Sequence, residues 1–170
     1  MKKWSLLTLV GADQSGIVAA VTRELADADC KLGETSMMRM GGNFSMMLRV
    51  EHDSLNLSDL LNDVCQKLKL HFHVDDDVDG VSMVIEPDVN ITVYGADRSG
   101  IVAEVAGVLA NAGLNIIDLE TAMAGTEDKP IYIMTIEGQA TQGVDALNEA
   151  AKTITDGIEL NIIPIQTLRA

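Results

Sequence analysis

The chain says the same thing twice. Residues 10–21 read VGADQSGIVAAV and residues 94–105 read YGADRSGIVAEV, so Asp13 recurs as Asp97, 84 residues on in a chain of 170. Nine of the twelve aligned positions are identical. A solenoid needs at least about three stacked units to bury its faces. With two copies, each half must be a small domain with its own core.

Composition narrows the class. Hydrophobic residues make up 47% of the chain and charged residues 22%, an ordinary globular balance. No apolar run approaches the roughly 18 residues of a membrane span, so no membrane association is expected. Met1-Lys2-Lys3-Trp4 leads straight into a strand-like stretch without a small-residue cleavage site, so no signal peptide is expected. Cys30 and Cys65 are isolated, which fits a reducing cytoplasm. A formal net charge of −14, with 12 Lys and Arg spread without a cluster, disfavours direct nucleic-acid binding. Aromatic content of 3% also removes the stacking platform of single-strand binders.

Hydrophobic periodicity gives the same element order in both halves. Lys3 to Val10 reads as a strand, and Ile17, Val21, Leu25 and Ala28 as a helical stripe capped by Asp13 or Ser15. Lys31 to Met40 is a second strand, turned by Gly41-Gly42 into a third at Phe44–Val50. Ser58 opens a second helix with Leu60, Leu61, Val64 and Leu68 inward, and Leu70, Phe72 and Val74 alternate as a fourth strand. In the second half the strands are Asn90–Gly95, Asn115–Met123, Ile131–Glu137 (after a longer loop with Gly125 and Pro130) and Glu159–Thr167. Its helices carry Ile101, Val105, Val108, Leu109 and Ala112, then Val144, Leu147, Ala151 and Ile154. Pro164 removes a donor and predicts an edge for the last strand. The fold class is therefore α+β: two βαββαβ units of ferredoxin-like arrangement, helices on one face of an antiparallel sheet. Residues 1–80 form the first domain, 81–89 a linker in which Val81–Ile85 could add a short strand, and 90–170 the second.

A βαββαβ unit with Gly-Ala-Asp-x-x-Gly-Ile-Val between its first strand and first helix resembles the ACT domain, and two such units resemble the tandem-ACT proteins related to the glycine cleavage system transcriptional repressor. This chain has Gln14-Ser15 and Arg98-Ser99 where that family usually reads Arg-Pro. The resemblance implies an amino acid as ligand and a regulatory output. No Ser-His-Asp, Cys-His or paired-carboxylate arrangement stands out, so a non-catalytic protein without cofactor is expected. The alternatives are an interaction module that binds no small ligand, or a stand-alone regulatory subunit of an amino-acid or one-carbon enzyme. Acidity makes any transcriptional effect indirect, through a DNA-binding protein partner.

The turns Asp13, Gln14, Ser15, Gly16, Ile17 and Asp97, Arg98, Ser99, Gly100, Ile101 are the candidate ligand sites. A helix N-terminus offers unpaired N–H groups and partial positive charge to a carboxylate. Helix capping by Asp13 and Asp97 accounts for the same residues. Asn115 and Ile116, in Gly113-Leu114-Asn115-Ile116, match the Gly-x-Asn-Ile pattern of ligand-binding ACT domains. The Asn115 amide would meet the ligand ammonium, unless it is only a turn residue tolerating a left-handed backbone. Lys31 holds the equivalent place in the first half, so the second site is expected to dominate and Asn115→Ala to weaken binding.

Three further patterns carry weaker readings. Asp75-Asp76-Asp77-Val78-Asp79-Gly80 with Glu86 matches the calcium-loop spacing, but Pro87 stops any exit helix, so a solvated linker without metal is expected. His71, His73 and Asp75 share a strand face without a fourth zinc ligand, which fits a solvent-facing edge. Met37, Met38, Met40, Met46 and Met47 would give an adaptable apolar surface or core filling. The long apolar strand Lys31–Met40, at a sheet edge, predicts a homodimer.

Overall fold

The computed structural model describes residues 2–76, 78, 85–126, 129–154 and 157–165. The chain divides into two compact units, Met1–Ser82 and Met83–Ala170. In the first, β1 (Lys3–Ala12) is followed by α1 (Ile17–Asp27), β2 (Lys31–Met40), β3 (Asn43–His52), α2 (Leu57–Lys67) and β4 (His71–Asp75). The second repeats the order with β5 (Val89–Gly95), α3 (Ile101–Asn111), β6 (Leu114–Thr126), β7 (Lys129–Ala140), α4 (Val144–Ala151) and β8 (Glu159–Pro164).

Both sheets are antiparallel, with orders β2-β3-β1-β4 and β6-β7-β5-β8. This is the ferredoxin-like order the sequence predicts, with the second and fourth strands of each unit at the edges. Pro164 ends edge strand β8 opposite Val89, where a missing donor costs no internal ladder bond.

Alternation builds each core. Leu7 and Leu9 of β1 and Met46, Leu48 and Val50 of β3 point to the helices, meeting Ile17, Val21 and Leu25 of α1 and Leu57, Leu61 and Cys65 of α2. Helical spacing of 17, 21 and 25 puts those three on one stripe, which burial against the sheet holds in place. The second core gathers Val89, Ile91 and Val93 of β5 with Met134 and Ile136 of β7, against Ile101, Val105, Leu109 and Leu147.

Several local expectations change. Asn56, not Ser58, caps α2, its Oδ1 accepting from the N–H of Ser58 at 3.1 Å and of Asp59 at 3.3 Å. Gly125 and Pro130 are paired strand residues rather than loop, because the β6–β7 ladder runs on until Thr126 faces Lys129. The closing strand ends at Pro164, not Thr167; Gln166 and Thr167 lie outside the described residues. So do Asp77, Asp79, Gly80 and residues 81–84, and with them most of the calcium-loop pattern and the added strand.

Candidate functional site

Each GAD turn lies where a central strand hands over to a helix. Neither Asp13 nor Asp97 caps it, and neither does Ser15 or Ser99. The N-cap is Gly16 in one turn and Gly100 in the other, with φ of 92° and 90° and no side-chain cap bond. Only glycine adopts that conformation without strain. Having no side chain to fold back, Gly16 leaves the first-turn N–H groups of α1 open to a ligand, whereas the Ile101 N–H of α3 already donates to Arg98 O at 3.5 Å. The first intrahelical bonds run from Ala20 N–H to Gly16 O and from Glu104 N–H to Gly100 O, both 2.9 Å.

The first turn borders an open cleft of about 270 Å³, lined by residues 13–19 with Met37, Arg39 and Phe44. Arg39 arrives from β2, paired in register with Phe44, which is paired with Gly11. Its Nε lies 3.1 Å from Asp13 Oδ2 in an ion pair whose side chains are 64% and 26% exposed. An exposed pair of this kind is worth about 0–1 kcal/mol, so a ligand can open it at small cost. Gln14 Nε2 donates to Leu68 O at 2.7 Å and ties the turn to the end of α2. Ile17 is buried, so only its backbone N–H is offered to a ligand. Charges of both signs, open helix N–H groups and an apolar floor of Met37 and Phe44 thus meet in one cleft. Its volume lies below the roughly 300–1,000 Å³ of drug-sized ligand pockets, which suits something smaller than a nucleotide.

The second turn has the same N-cap conformation and different surroundings. Register puts Met123 opposite Tyr132, itself opposite Gly95, so Met123 stands where Arg39 stands. Arg98 donates to Glu104 at 2.5 Å, and Glu104 occupies the first turn of α3. The α1 equivalent of Glu104 is Ala20, and α1 has no acid in its first turn. A carboxylate at a helix N-terminus already answers the positive end of the dipole, and Glu104 also engages the Arg98 guanidinium, so less positive charge is left for an incoming anion. Asp97, Ser99 and Gly100 are exposed or partly so, and Ile101 is buried in the core.

Asn115 does not reach its turn. Ile116 pairs with Gly138, which pairs with Val89 at the start of β5, whereas the turn follows Gly95 at its end. Six strand residues at about 3.3 Å each put roughly 20 Å between them. No α-amino acid bridges that span. The left-handed residue is Gly113 at φ 88°, not Asn115, which is an exposed strand residue opposite Gln139. Ile116 packs on the core. Lys31 lies similarly far from the first turn, in a separate cleft with Lys2, Asp29, Glu51, His52 and Asp53.

One constellation has no counterpart among the expected residues. Ser5 and His52 are buried, and Ser5 Oγ lies 2.9 Å from both His52 Nε2 and Asp76 Oδ1. His52 Nδ1 accepts from the Leu55 N–H at 3.1 Å, which assigns the ring proton to Nε2. His52 therefore donates to Ser5, and Ser5 to Asp76. An imidazole already protonated at Nε2 cannot take the serine proton, so this is not a nucleophile–base pair. The signal available in sequence is position: His52 continues the inward alternation of Met46, Leu48 and Val50. His71, His73 and Asp75 share the open face of edge strand β4, with His73 Nε2 3.1 Å from Asp75 Oδ1. No group of three metal-ligating side chains converges among the described residues. No helix among them is long and apolar enough to cross a membrane.

Comparison with known proteins agrees with this architecture. ACT-domain families match residues 4–75 and residues 89–154. The chain belongs to the ACT-domain proteins, with two such domains in tandem. The UPF0237 protein YjhC of Lactococcus lactis is 37% identical over 73 residues, covering 41% of this chain and 84% of the relative. Two solved structures share the fold over nearly the whole length. A protein of unknown function from Galdieria sulphuraria has a TM-score of 0.74 at 21% identity, covering 98% of this chain and 100% of its own. A protein provisionally described as a glycine cleavage system transcriptional repressor has a TM-score of 0.69 at 16% identity, covering 97% and 99%.

Proposed function

We propose that this chain is a non-catalytic regulatory protein that binds an α-amino acid in the first-domain cleft and acts through contacts with a protein partner. The observation that carries the reading is the Asp13–Arg39 pair at the mouth of that cleft. A zwitterion brings one charge for each partner: its carboxylate takes Arg39 and the N–H groups of the first helical turn, and its ammonium takes Asp13. A plain anion would leave Asp13 facing a like charge. Met37 and Phe44 then meet the ligand side chain. Membership of the ACT family supports a small regulatory ligand. The second turn, with Met123 and Glu104 in place of Arg39 and Ala20, binds more weakly or serves packing alone.

The output we propose is control of amino-acid metabolism, with glycine utilisation the first case to examine given the fold neighbour's description. The net charge of −14 directs any transcriptional effect through a DNA-binding partner rather than through DNA itself. Edge strand β2, exposed along its length, offers its free ladder to a second copy of the chain.

A thermal-shift panel of the twenty amino acids tests the ligand reading. A binder present at 100 times its Kd raises stability by about 2.7 kcal/mol, an easily read shift in Tm. If no amino acid moves the transition at millimolar concentration, the sensor reading fails. An interaction module that binds no small ligand then takes its place, for which the exposed Val10, Met38, Met40 and Met47 of the first sheet provide the surface.

A further inference from the structure

The nine methionines are unevenly placed: five fall within the eleven residues from Met37 to Met47. Met46 faces the core and is 1% exposed, as its pairing within β3's inward alternation requires. Met37, Met38, Met40 and Met47 are instead 49%, 50%, 70% and 46% exposed. A thioether does not titrate, and its reactivity toward oxidants follows the access of its sulfur. Four open thioethers on one hairpin form a concentrated target. The strand period splits them between two surfaces. Met37 shares the cleft lining with Arg39, whereas Met38 and Met40 line an apolar groove on the opposite face with Val10 and Ser45.

We propose that this hairpin is a reversible oxidation site, at which hydrogen peroxide or a related two-electron oxygen donor converts the exposed methionines to sulfoxides, and that the change at Met37 closes the cleft to its ligand. The closing half of this inference rests on the amino-acid reading above; the modification half does not. The methionine sulfur attacks one peroxide oxygen, the O–O bond breaks as the S–O bond forms, and the departing hydroxide gains a proton to become water. Sulfur loses two electrons and peroxide gains them. Reduction by two thiols returns the thioether and yields one disulfide and one water, the chemistry of the methionine sulfoxide reductases. The product places a strong acceptor on what was the apolar cleft floor. Arg39 presents five donors and no acceptor, so a sulfoxide in the same cleft competes with a carboxylate for them.

The experiment treats the full chain with hydrogen peroxide and follows each methionine by peptide mass spectrometry. Met46 and Met134, at 1% and 0% exposure, are the internal controls. The four hairpin methionines should oxidise at least roughly ten-fold faster than these two. Methionine sulfoxide reductases of both epimer classes, with a dithiol, should restore them. Calorimetry with glycine as the probe zwitterion should then show affinity falling roughly ten-fold on oxidation and recovering on reduction. In Met37→Leu the ratio of affinities before and after peroxide should approach one; in a triple Met38, Met40, Met47→Leu variant the loss should persist. Equal oxidation rates for hairpin and core methionines, or sulfoxides that the reductases do not repair, overturn the modification site. Selective oxidation without loss of glycine affinity overturns its coupling to the cleft. If glycine fails to bind the untreated protein, the coupling of oxidation to the cleft falls, while the order of oxidation still decides the modification site.

Discussion

At the first glycine turn a guanidinium from β2 stands over an acid-free helix N-terminus; at the second, a methionine holds that register position and Glu104 already occupies the helix end. The N-cap glycines match, both left-handed with φ of 92° and 90°. The turn is repeated in both halves, while the side chains around it differ. A repeated motif therefore says where helix N-termini lie, and the neighbouring strand is what would distinguish the two copies as ligand sites.

The comparison can be pressed first on stability. The two cores share no residue, so Leu48→Ala should lower the stability of the first unit by about 2–5 kcal/mol and leave the second unit's transition in place. Hydrogen exchange read domain by domain checks this; equal loss of protection in both units would show that they unfold as one. The second difference is alkaline sensitivity. Both cysteines lie in the first unit, and burial pushes the Cys65 thiol up to about 11. The folded state then holds a proton that the unfolded chain, with a thiol near its ordinary value of about 8.5, releases. Stability is therefore lost as pH rises from about 9 toward 11, by at most about 3 kcal/mol. Urea denaturation of the wild type and Cys65→Ala across that range should show the steeper decline only in the wild type. A matching decline in the variant would assign it elsewhere.

Smaller effects sharpen the picture at the turns. Gly16→Ala and Gly100→Ala each force a Cβ into the left-handed region at a cost of about 1–2 kcal/mol, with open space around both positions. Thermal melts should therefore show similar destabilisation, while only Gly16→Ala should also change ligand affinity. Asn115→Ala should do least, within about 0.5 kcal/mol in stability, and should leave affinity unchanged. A strong loss of binding on that substitution would return the site to the second domain.

How much of this was readable in the sequence depends on the range of the interaction. Element order, the Gly41-Gly42 hairpin and the edge position of Pro164 rest on alternation and turn chemistry within a few residues, and the structure keeps them. The capping role assigned to Asp13 failed because an acid near a helix start is only a candidate cap, whereas Gly16's backbone settles which residue is last outside the helix. The place of Asn115 was recoverable from helix geometry. An 11-residue helix at about 1.5 Å per residue carries the chain back roughly 16 Å, so the strand after it starts at the far end of the sheet from the turn. Arg39 and the Ser5–His52–Asp76 network were not recoverable in that way. They depend on strand pairing across long stretches, with 47 residues separating Ser5 from His52 and 71 separating it from Asp76.

The central claim is that the first domain's cleft, through Arg39, holds the ligand. Calorimetric titration of the best-binding amino acid into the wild type, Arg39→Met and Met123→Arg tests it most directly. Removing a charged hydrogen-bonding partner costs about 1.5–3 kcal/mol, so Arg39→Met should weaken binding roughly ten- to a hundred-fold. Met123→Arg, with Glu104 still at the helix end, should leave the wild-type affinity and stoichiometry of the first site intact. Binding that survives Arg39→Met unchanged, at one ligand per chain, would contradict the account.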